Sequence, residues 1–220
     1  FGIADSFLII DTIIWVGTSF GLLKLENKNQ ELNLLFCEDI GLVTNIIYNG
    51  VNSILAISSK KGVVEYTNDS IIKFAEDILL NQKPISLFKT IDSCYLIGTL
   101  NGLFFLNKDR ELKGHYISDS EPSKVTAINS IGNEWVIAMN KTITILKYSN
   151  SCINELEIIN IESVINSILI DEFKNIWVST NNSGLKKISY LRKILTPIET
   201  GSNSAAFCIK NSPSENKTYL

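Results

Sequence analysis

The sequence predicts an all-β fold, a β-propeller built from four-stranded antiparallel blades. A unit of roughly 40 residues recurs along the chain, and internal repeats of this length are typical of propeller blades. Each copy holds four short segments rich in Ile, Val, Leu and aromatic residues, bounded by Asn, Asp, Gly and Ser. The apolar runs are nearly continuous, which favours strands covered on both faces, as in stacked blades. A parallel β-helix has shorter rungs, and a helical solenoid needs a 3.6-residue period that is absent here.

A glycine marks the centre of most copies. Gly21, Gly62 and Gly102 each follow one short apolar strand and precede another, at spacings of 41 and 40 residues. The fourth copy, "WVIAMNKTITIL" from Trp135, lacks the glycine, and the fifth restores it at Gly184. We predict that this glycine turns the chain between second and third strands, where a positive φ or close approach to the next blade excludes a Cβ.

The remaining strands of each copy flank this centre. The upstream segment is predicted to be the innermost strand, the glycine joins the second and third strands, and the downstream segment is outermost. The chain is thus expected to be a single propeller fragment that continues beyond residue 220. Its predicted blades run over residues 3–36, 42–75, 85–116, 124–158 and 164–198, with a partial sixth blade over 204–220.

Three tryptophans fall near the start of the second strand in their copies. We interpret Trp15, Trp135 and Trp177 as recurring at one phase of the repeat, with Leu55 and Leu96 taking the same place in the other two copies. Interchange of Trp with Leu suits a buried position. These side chains are therefore predicted to pack between blades rather than to stack on a ligand.

Charge and hydropathy exclude two classes of partner. With 20 basic and 23 acidic side chains, the chain has a net charge of −3 and no basic stripe, so nucleic acid is not expected to bind. No apolar run reaches the roughly 18 to 20 residues that span a bilayer, and the longest, Phe7 to Val16, is interrupted by Asp11. No membrane segment is therefore expected within this chain.

The metal-ligating side chains are scattered. The four cysteines stand more than fifty residues apart without a C-x-x-C pair, at Cys37, Cys94, Cys152 and Cys208, and His115 is the only histidine. A zinc or iron site would need ligands from distant points, so no metal and no cofactor is expected. The thiols are predicted to be unpaired or buried, with disulfides left open, and His115 to be a surface residue.

The candidate ligand-binding residues lie in two classes of loop that share one face of the predicted propeller. Loops between an outermost strand and the next innermost strand carry acidic residues, at Glu38, Asp39, Glu76, Asp77, Asp119, Glu121 and Glu162. Turns between second and third strands carry Ser19, Phe20, Lys60, Lys61, Asn101, Asn140, Asn181 and Asn182. Such polar loops at a channel mouth could bind a sugar or a short peptide, with Phe20 for stacking. The alternative is that they are polar because they are solvated.

The sequence does not favour catalysis. No pair of acids is singled out at the separation that glycoside hydrolysis needs, and His115 has no nucleophile motif such as Gly-x-Ser-x-Gly beside it. The phosphate-binding glycine motifs are absent as well. This region is therefore predicted not to be an enzyme.

Two copies carry a family resemblance. "IIDTIIWVGTSFGLLKLE" from Ile9 and "IDEFKNIWVSTNNSGLKKI" from Ile170 resemble the two-component regulator propeller repeat, whose consensus runs roughly Asp-x-x-Gly-x-Ile-Trp-Val-Gly-Thr-x-x-Gly-Leu. The resemblance extends over about residues 3 to 198. It departs from the consensus at Asn175, which replaces the turn glycine, and in the shortened turn after Asp11.

The resemblance implies a bacterial extracytoplasmic sensing region, in the periplasm or cell envelope, that precedes a membrane helix and an output domain such as a histidine kinase. The implied partners are an extracellular small molecule, oligosaccharide or peptide and neighbouring propeller or other protein domains. Two alternatives stay open at this point. One is a scaffold or attachment propeller of the cell envelope or of a secretion system, as in type IX secretion, and the other is a glycan-active propeller enzyme.

Overall fold

The computed structural model of the protein describes residues 2–79, 82–118, 124–189, 195–198, 210–212 and 217–219. Almost all of the secondary structure in these residues is β-strand. The apolar segments of the repeat form the strands, and the Asn, Asp, Gly and Ser clusters form the turns between them.

Twenty strands form five four-stranded sheets, and in each sheet the strands lie side by side in chain order. We number these sheets as blades. Blade 1 contains β1 (Ala4–Ile10), β2 (Ile13–Thr18), β3 (Leu22–Lys28) and β4 (Glu31–Glu38). Blade 2 contains β5 (Val43–Gly50), β6 (Ser53–Ser58), β7 (Gly62–Thr67) and β8 (Ser70–Lys73). Blade 3 contains β9 (Pro84–Lys89), β10 (Tyr95–Thr99), β11 (Gly102–Leu106) and β12 (Leu112–Tyr116).

Blade 4 contains β13 (Val125–Ile131), β14 (Glu134–Met139), β15 (Thr142–Ser149) and β16 (Cys152–Asn160). Blade 5 contains β17 (Ile165–Ile170), β18 (Ile176–Thr180), β19 (Leu185–Ile188) and β20 (Leu195–Ile198). Five four-stranded antiparallel blades are the architecture of a β-propeller, and the predicted fold class is confirmed.

The chain divides into two compact units, and the division falls within blade 3. Unit 1 comprises Phe1–Ile97 with Leu106–Leu112, and unit 2 comprises Gly98–Phe105 with Lys113–Leu220. Blades 1 and 2 lie in unit 1, and blades 4 and 5 lie in unit 2.

The first strand of a blade carries a recurrent β-bulge. The register shifts one residue into the strand, between Ala4 and Ser6, Val43 and Asn45, Val125 and Ala127, and Ile165 and Ser167. A bulge increases the local twist of a strand and bends it. Blades 1, 2, 4 and 5 therefore share this irregularity in their first strands as well as a strand order.

Consecutive blades in unit 1 pack through an aromatic contact. The Trp15 ring of blade 1 lies edge-on to the Tyr66 ring of blade 2, with centroids 4.6 Å apart. Phe36 contacts the same tyrosine at 4.9 Å, and the Lys24 ammonium lies over both Trp15 and Tyr66. Trp15 therefore packs between blades, as predicted.

The position of Trp135 contradicts the prediction that the three tryptophans occupy the same place in their second strands. Trp15 and Trp177 lie three residues before the ends of their strands, Thr18 and Thr180, whereas the residue three before Met139 is Val136. Val136 belongs to the core between blades 4 and 5. Because side chains alternate across a strand, Trp135 points to the other face, where its ring lies 4.7 Å from that of Phe105. One residue of offset has moved it to the opposite interface.

Two glycines of blade 1 exclude a Cβ for different reasons. A Cβ on Gly21 would lie 2.0 Å from the Glu38 carbonyl oxygen, on the fourth strand of the same blade. A Cβ on Gly17 would lie 2.6 Å from the Val43 carbonyl oxygen, at the start of blade 2. Of the two predicted reasons for the turn glycine, a positive φ is found at Gly62, Gly102 and Gly184, and Gly21 instead approaches its own blade closely. The close approach to the next blade occurs at Gly17.

Some features outside the five blades differ from the prediction or stay untested. A short helix, α1 (Glu76–Leu79), follows blade 2 in a segment predicted to be a loop. Near the C-terminus, β21 (Lys210–Ser212) pairs with β22 (Lys217–Tyr219). The strand predicted from Ser204 lies outside the described residues, so the partial sixth blade stays a prediction. No helix in the described ranges is long and apolar enough to cross a membrane.

Three cysteines fall within the described part of the chain, and their thiols are unpaired. Cys37 and Cys152 are exposed and Cys94 is half-buried. His115 is exposed on β12, and its ring stacks on Phe104 with centroids 4.2 Å apart. His115 is thus a surface residue, as predicted.

Candidate functional site

Six of the predicted ligand-binding residues lie close together in unit 1. Ser19 and Phe20 form the turn between β2 and β3, Glu38 and Asp39 lead from blade 1 to blade 2, and Lys60 and Lys61 form the turn between β6 and β7. We call these six residues the loop cluster. The Gly41 amide, in the connection between blades 1 and 2, donates to the Phe20 carbonyl oxygen at 3.1 Å and joins this connection to the turn between β2 and β3.

The charges of the loop cluster form two ion pairs. The Lys60 ammonium lies 2.7 Å from an Asp39 carboxylate oxygen, and the Lys61 ammonium lies 2.7 Å from a Glu38 carboxylate oxygen. The hydrogen bond from Lys60 holds the pKa of Asp39 below its ordinary value, and the Gly41 amide acts in the same direction. The cluster therefore presents balanced charge on a solvated surface rather than a field of one sign.

Phe20 gives the loop cluster an apolar surface. Its side chain is 66% exposed although its backbone is fixed. The Thr18 hydroxyl accepts hydrogen bonds from the Phe20 and Gly21 amides, at 3.2 and 3.1 Å. A rigid backbone under an exposed aromatic ring suits recognition, because little conformational entropy is lost on binding.

A threonine hydroxyl at the end of the second strand holds the following turn by hydrogen bonds in blades 1, 3 and 5, and we call this arrangement the threonine lock. Thr99 accepts from the Asn101 amide at 3.0 Å, and Thr180 accepts from the Ser183 amide at 3.1 Å and donates to the Gly184 carbonyl at 2.8 Å. Sequence reasoning missed this role. The signal was the threonine that precedes the glycine by three or four residues in "GTSFG", "GTLNG" and "STNNSG".

The four predicted asparagines lie in unit 2. The Asn140 carbonyl accepts from the Ile165 amide at 2.8 Å, the Asn181 amide donates to the Val164 carbonyl at 2.9 Å, and the Asn182 amide donates to the Ser163 hydroxyl at 3.1 Å. The backbones of these three residues thus join their turns to the segment that leads into blade 5. Asn182 and Asn101 have exposed side chains, whereas Asn140 and Asn181 are half-buried.

The other acidic candidates have separate outcomes. Asp119 and Glu121 lie outside the described residues. Glu162 is almost fully exposed, with one carboxylate oxygen 3.9 Å from the Lys186 ammonium. Glu76 pairs with Lys73 beside α1. Among the described residues, no group of three or more His, Cys, Asp or Glu could hold a metal ion.

A buried polar network in unit 1 was not predicted. Glu65 of β7 is buried, and its carboxylate accepts hydrogen bonds from Asn49 at 2.7 Å, Ser53 at 2.8 Å and Arg110 at 2.6 Å. The Asn49 side-chain oxygen Oδ1 in turn accepts from the Tyr95 hydroxyl at 2.9 Å. The signal in the sequence was a lone acid inside an apolar strand, "GVVEYT". Because its carboxylate oxygens are satisfied within the protein, we interpret this network as a structural clamp.

The fold is similar to that of several known structures. Two crystal structures of the extracellular domain of BT4673 from B. thetaiotaomicron, described as a one-component or a hybrid two-component system, match 98% of this chain with a TM-score of 0.79 and 18% identity. Sqt1 from Saccharomyces cerevisiae matches 98% of this chain with a TM-score of 0.76 and 14% identity, and the chain covers 68% of it. At such identities the likeness shows the fold alone.

The chain spans 31% of the length of the BT4673 domains. No protein-family model matches the sequence, and no curated protein matches it either. The resemblance to the two-component regulator propeller repeat therefore rests on the quoted motifs and on the propeller fold.

Proposed function

We propose that this chain is a non-enzymatic ligand-recognition propeller of a bacterial extracytoplasmic sensor and that it signals to a downstream output domain such as a histidine kinase. The observation that carries the proposal is the likeness of nearly the whole chain to the extracellular domain of BT4673, at a TM-score of 0.79. The copies of "IWVGTSFGLLKL" along the chain support it, because they resemble the repeat found in such sensor regions.

The loop cluster suits a neutral or zwitterionic ligand. The Phe20 ring offers an apolar face, and the carboxylates and ammonium groups beside it offer acceptors and donors on both sides of the connection between blades. Exposed ion pairs contribute only about 0 to 1 kcal/mol each, so a ligand can compete for these groups at small cost. An oligosaccharide or a short peptide has the matching mixture of apolar faces and hydrogen-bonding groups.

Binding at this place can alter the relation between two blades. Phe20 belongs to blade 1 and Lys61 belongs to blade 2, so a ligand that contacts both residues favours the arrangement in which they are close. A ligand shifts a conformational equilibrium only by its difference in affinity for the two states. A ligand bound to the loop cluster has different affinities for the two states if the distance between Phe20 and Lys61 changes during signalling.

A ligand screen with matched variants tests the proposal. Purified protein is tested by thermal shift against panels of oligosaccharides and short peptides, and the affinity of each hit is measured by titration calorimetry. Phe20→Ala is expected to weaken binding about tenfold, the effect of losing one aromatic contact of roughly 1.4 kcal/mol. Lys61→Ala is expected to weaken binding about threefold, since an exposed ionic contact contributes less than about 1 kcal/mol. Phe173→Ala is the control, because Phe173 is also highly exposed, at 73% against 66% for Phe20, but lies in the turn between β17 and β18.

Two results would contradict the proposal. One is a hit whose affinity is insensitive to Phe20→Ala and Lys61→Ala, which would place binding outside the loop cluster. The other is a gene that encodes no membrane helix and no kinase, cyclase or regulator sequence after this region, which would contradict the sensor role and favour a scaffold.

A further inference from the structure

The bulges in the first strands of blades 1, 2, 4 and 5 each contain one extra residue, and that residue is polar in all four blades. The extra residues at the register shifts are Asp5, Thr44, Thr126 and Asn166. A bulge re-aims the side chain of its extra residue and is common beside functional sites. These four side chains are therefore candidates for contacts outside their own sheets.

The bulged residues of unit 1 differ from those of unit 2 in exposure. Asp5 and Thr44 are exposed, whereas Thr126 and Asn166 are half-buried. The Thr126 hydroxyl donates to the Ile165 carbonyl oxygen at 3.3 Å. The Asp5 carboxylate and the Thr44 hydroxyl make no hydrogen bond or ion pair with any residue in the described ranges. Unit 1 thus presents a carboxylate and a hydroxyl whose hydrogen-bonding capacity is not used within this part of the chain.

Asp5 and Thr44 lie on neighbouring first strands. The Ser6 hydroxyl of blade 1 donates to the Val43 carbonyl oxygen of blade 2 at 3.2 Å. Asp5 precedes Ser6 in the sequence, and Thr44 follows Val43. The two bulged residues therefore flank one hydrogen bond between blades 1 and 2, the blades that form the loop cluster.

On blade 1, the chain that leads to Asp5 contacts the loop cluster directly. The Ile3 amide donates to the Ser19 hydroxyl at 3.1 Å, and the Ser19 amide donates to the Ile3 carbonyl oxygen at 2.9 Å. A Cβ on Gly2 would lie 2.6 Å from Cδ2 of the Phe20 ring. Asp5 follows Ile3 by two positions, which is about 7 Å of extended chain. Its carboxylate therefore lies beside the turn that carries Phe20.

The same relation holds on blade 2. The Ser59 amide, next to Lys60 in the turn between β6 and β7, donates to the Leu42 carbonyl oxygen at 2.9 Å. Thr44 follows Leu42 by two positions. Both bulged residues of unit 1 thus border the loop cluster.

Asp5 changes the charge balance at the loop cluster. Lys60 and Lys61 are each paired with one carboxylate of the cluster, so the cluster by itself is neutral. Asp5 adds a negative charge that is not paired with any cation in the described part of the chain. A ligand with a cationic group near Asp5 gains an ionic contact, whereas an anionic group there is repelled.

We propose that Asp5 determines the specificity of the loop cluster by accepting a hydrogen bond from a primary ammonium group of the ligand, and that the Thr44 hydroxyl accepts from the same group. An ammonium group has three N–H donors and no acceptor, which matches two oxygen acceptors from neighbouring strands. The amino group of a peptide and that of an amino sugar share this chemistry. The inference rests on the proposed function, because it narrows the ligand of that site to one that carries an ammonium group.

Matched probes that differ only in N-acetylation test the proposal. The probes are glucosamine and N-acetylglucosamine oligosaccharides, and short peptides with a free or an acetylated amino group. Titration calorimetry is expected to show about fivefold tighter binding of the free amine, the effect of one exposed ionic contact, and no such preference in Asp5→Asn. The pair that shows the preference identifies the source of the amino group. Asp11→Asn is the control and is expected to keep the preference, because Asp11 is exposed at the other end of β1.

The outcomes separate this inference from the proposed function. A hit that depends on Phe20 and Lys61 but binds equally well in its acetylated form would overturn the inference and leave the proposed function intact. Loss of the preference in Asp11→Asn as well would assign it to the net charge of the protein and would also overturn the inference. If no hit is sensitive to Phe20→Ala and Lys61→Ala, the proposed function fails and the inference fails with it.

Thermal unfolding distinguishes a role in recognition from a structural role of Asp5. Because its carboxylate is exposed and makes no contact within the described residues, Asp5→Asn is expected to change the Tm by no more than about 2 °C. A larger loss of Tm would show that Asp5 stabilises the fold and would contradict its assignment to the ligand.

Discussion

At the residue scale, stability depends on a few polar side chains placed inside apolar strands. The Glu65 carboxylate is buried and receives donors from two strands of its own blade and from Arg110 on the turn between β11 and β12. A buried carboxylate is favourable only when its hydrogen bonds are made, and its removal leaves its donors without an acceptor. Glu65 therefore ties blade 2 to the Arg110 turn within unit 1.

We predict that Glu65→Ala lowers the free energy of unfolding by about 3 kcal/mol, because it leaves the donors of Asn49, Ser53 and Arg110 unpaired. Glu65→Gln, which keeps an acceptor but loses the charge, is expected to cost about half as much. Urea denaturation followed by circular dichroism measures both values. Glu31→Ala on the exposed end of β4 is the control, with an expected change within about 0.5 kcal/mol. A cost for Glu65→Ala no larger than that control would show that the clamp contributes nothing.

The threonine lock of the turn between β18 and β19 gives a second prediction at this scale. Thr180 is buried, and its hydroxyl both accepts from the Ser183 amide and donates to the Gly184 carbonyl. Thr180→Val keeps the shape and removes these bonds, so we expect a loss of about 1 to 3 kcal/mol in denaturant unfolding. Thr180→Ser keeps the hydroxyl and is expected to cost less than Thr180→Val. The reverse order would mean that the methyl group, rather than the hydroxyl, stabilises the turn.

At the scale of the elements, the hairpin between β17 and β18 is held by one carboxylate. Asp171 accepts hydrogen bonds from the Asn175 and Trp177 side chains, at 2.8 and 2.9 Å, and from the Phe173 and Asn175 amides. Burial alone would raise the pKa of Asp171, but these hydrogen bonds outweigh it and hold the pKa below the ordinary 3.8. The charged carboxylate is therefore the form that stabilises the hairpin.

This arrangement predicts a pH dependence. A carboxyl group whose pKa is lower in the folded state contributes stability above its unfolded pKa and loses that contribution as the pH falls through the folded pKa. We expect Asp171→Asn to be about 1 kcal/mol less stable than the wild type at pH 7 and the difference to shrink once the pH falls below about 4. Urea denaturation of both proteins between pH 7 and pH 3 measures this. A difference that stays constant over the whole range would show that the charge has no role.

The sequence predicts the elements where the signal is local and fails where it depends on distant contacts. Gly21 and Gly102 lie in or beside turns between second and third strands, because a short apolar run on each side fixes the hairpin. The phase of Trp135 was mistaken, because a one-residue offset in blade 4 is invisible without the strand register. The partners of Glu65 could not be predicted either, since Arg110 is 45 residues away.

The distinction between local signals and distant contacts also holds for the candidate site. The alternation of turns and connections predicts that Phe20, Asp39 and Lys60 occupy neighbouring loops, and the structure brings them together in unit 1. The pairing of Lys61 with Glu38 depends on side-chain reach across the connection and on the turn at Gly41, which no local pattern specifies.

At the scale of the whole molecule, the blade is the unit of stability and of recognition. Blade 1 buries a face against blade 2 in unit 1, and blade 4 buries a face against blade 5 in unit 2. The turns after the second strands and the connections between blades present polar groups to solvent. In the proposed sensor, the buried faces fix the positions of the loops, and the loops select the ligand. Ligand binding therefore involves the loops at one end of the strands, whereas stability depends on the buried faces along the strands.

The most direct test of the recognition claim is hydrogen–deuterium exchange with and without a ligand identified in the oligosaccharide and peptide panels. We predict that added ligand slows exchange in the loop cluster, in peptides that cover residues 18–21, 38–41 and 58–62, because binding orders these loops. The turns at the other ends of the second strands, at residues 11–12, 51–52 and 171–175, are expected to exchange at unchanged rates. Protection of those turns with no change in the loop cluster would contradict the claim.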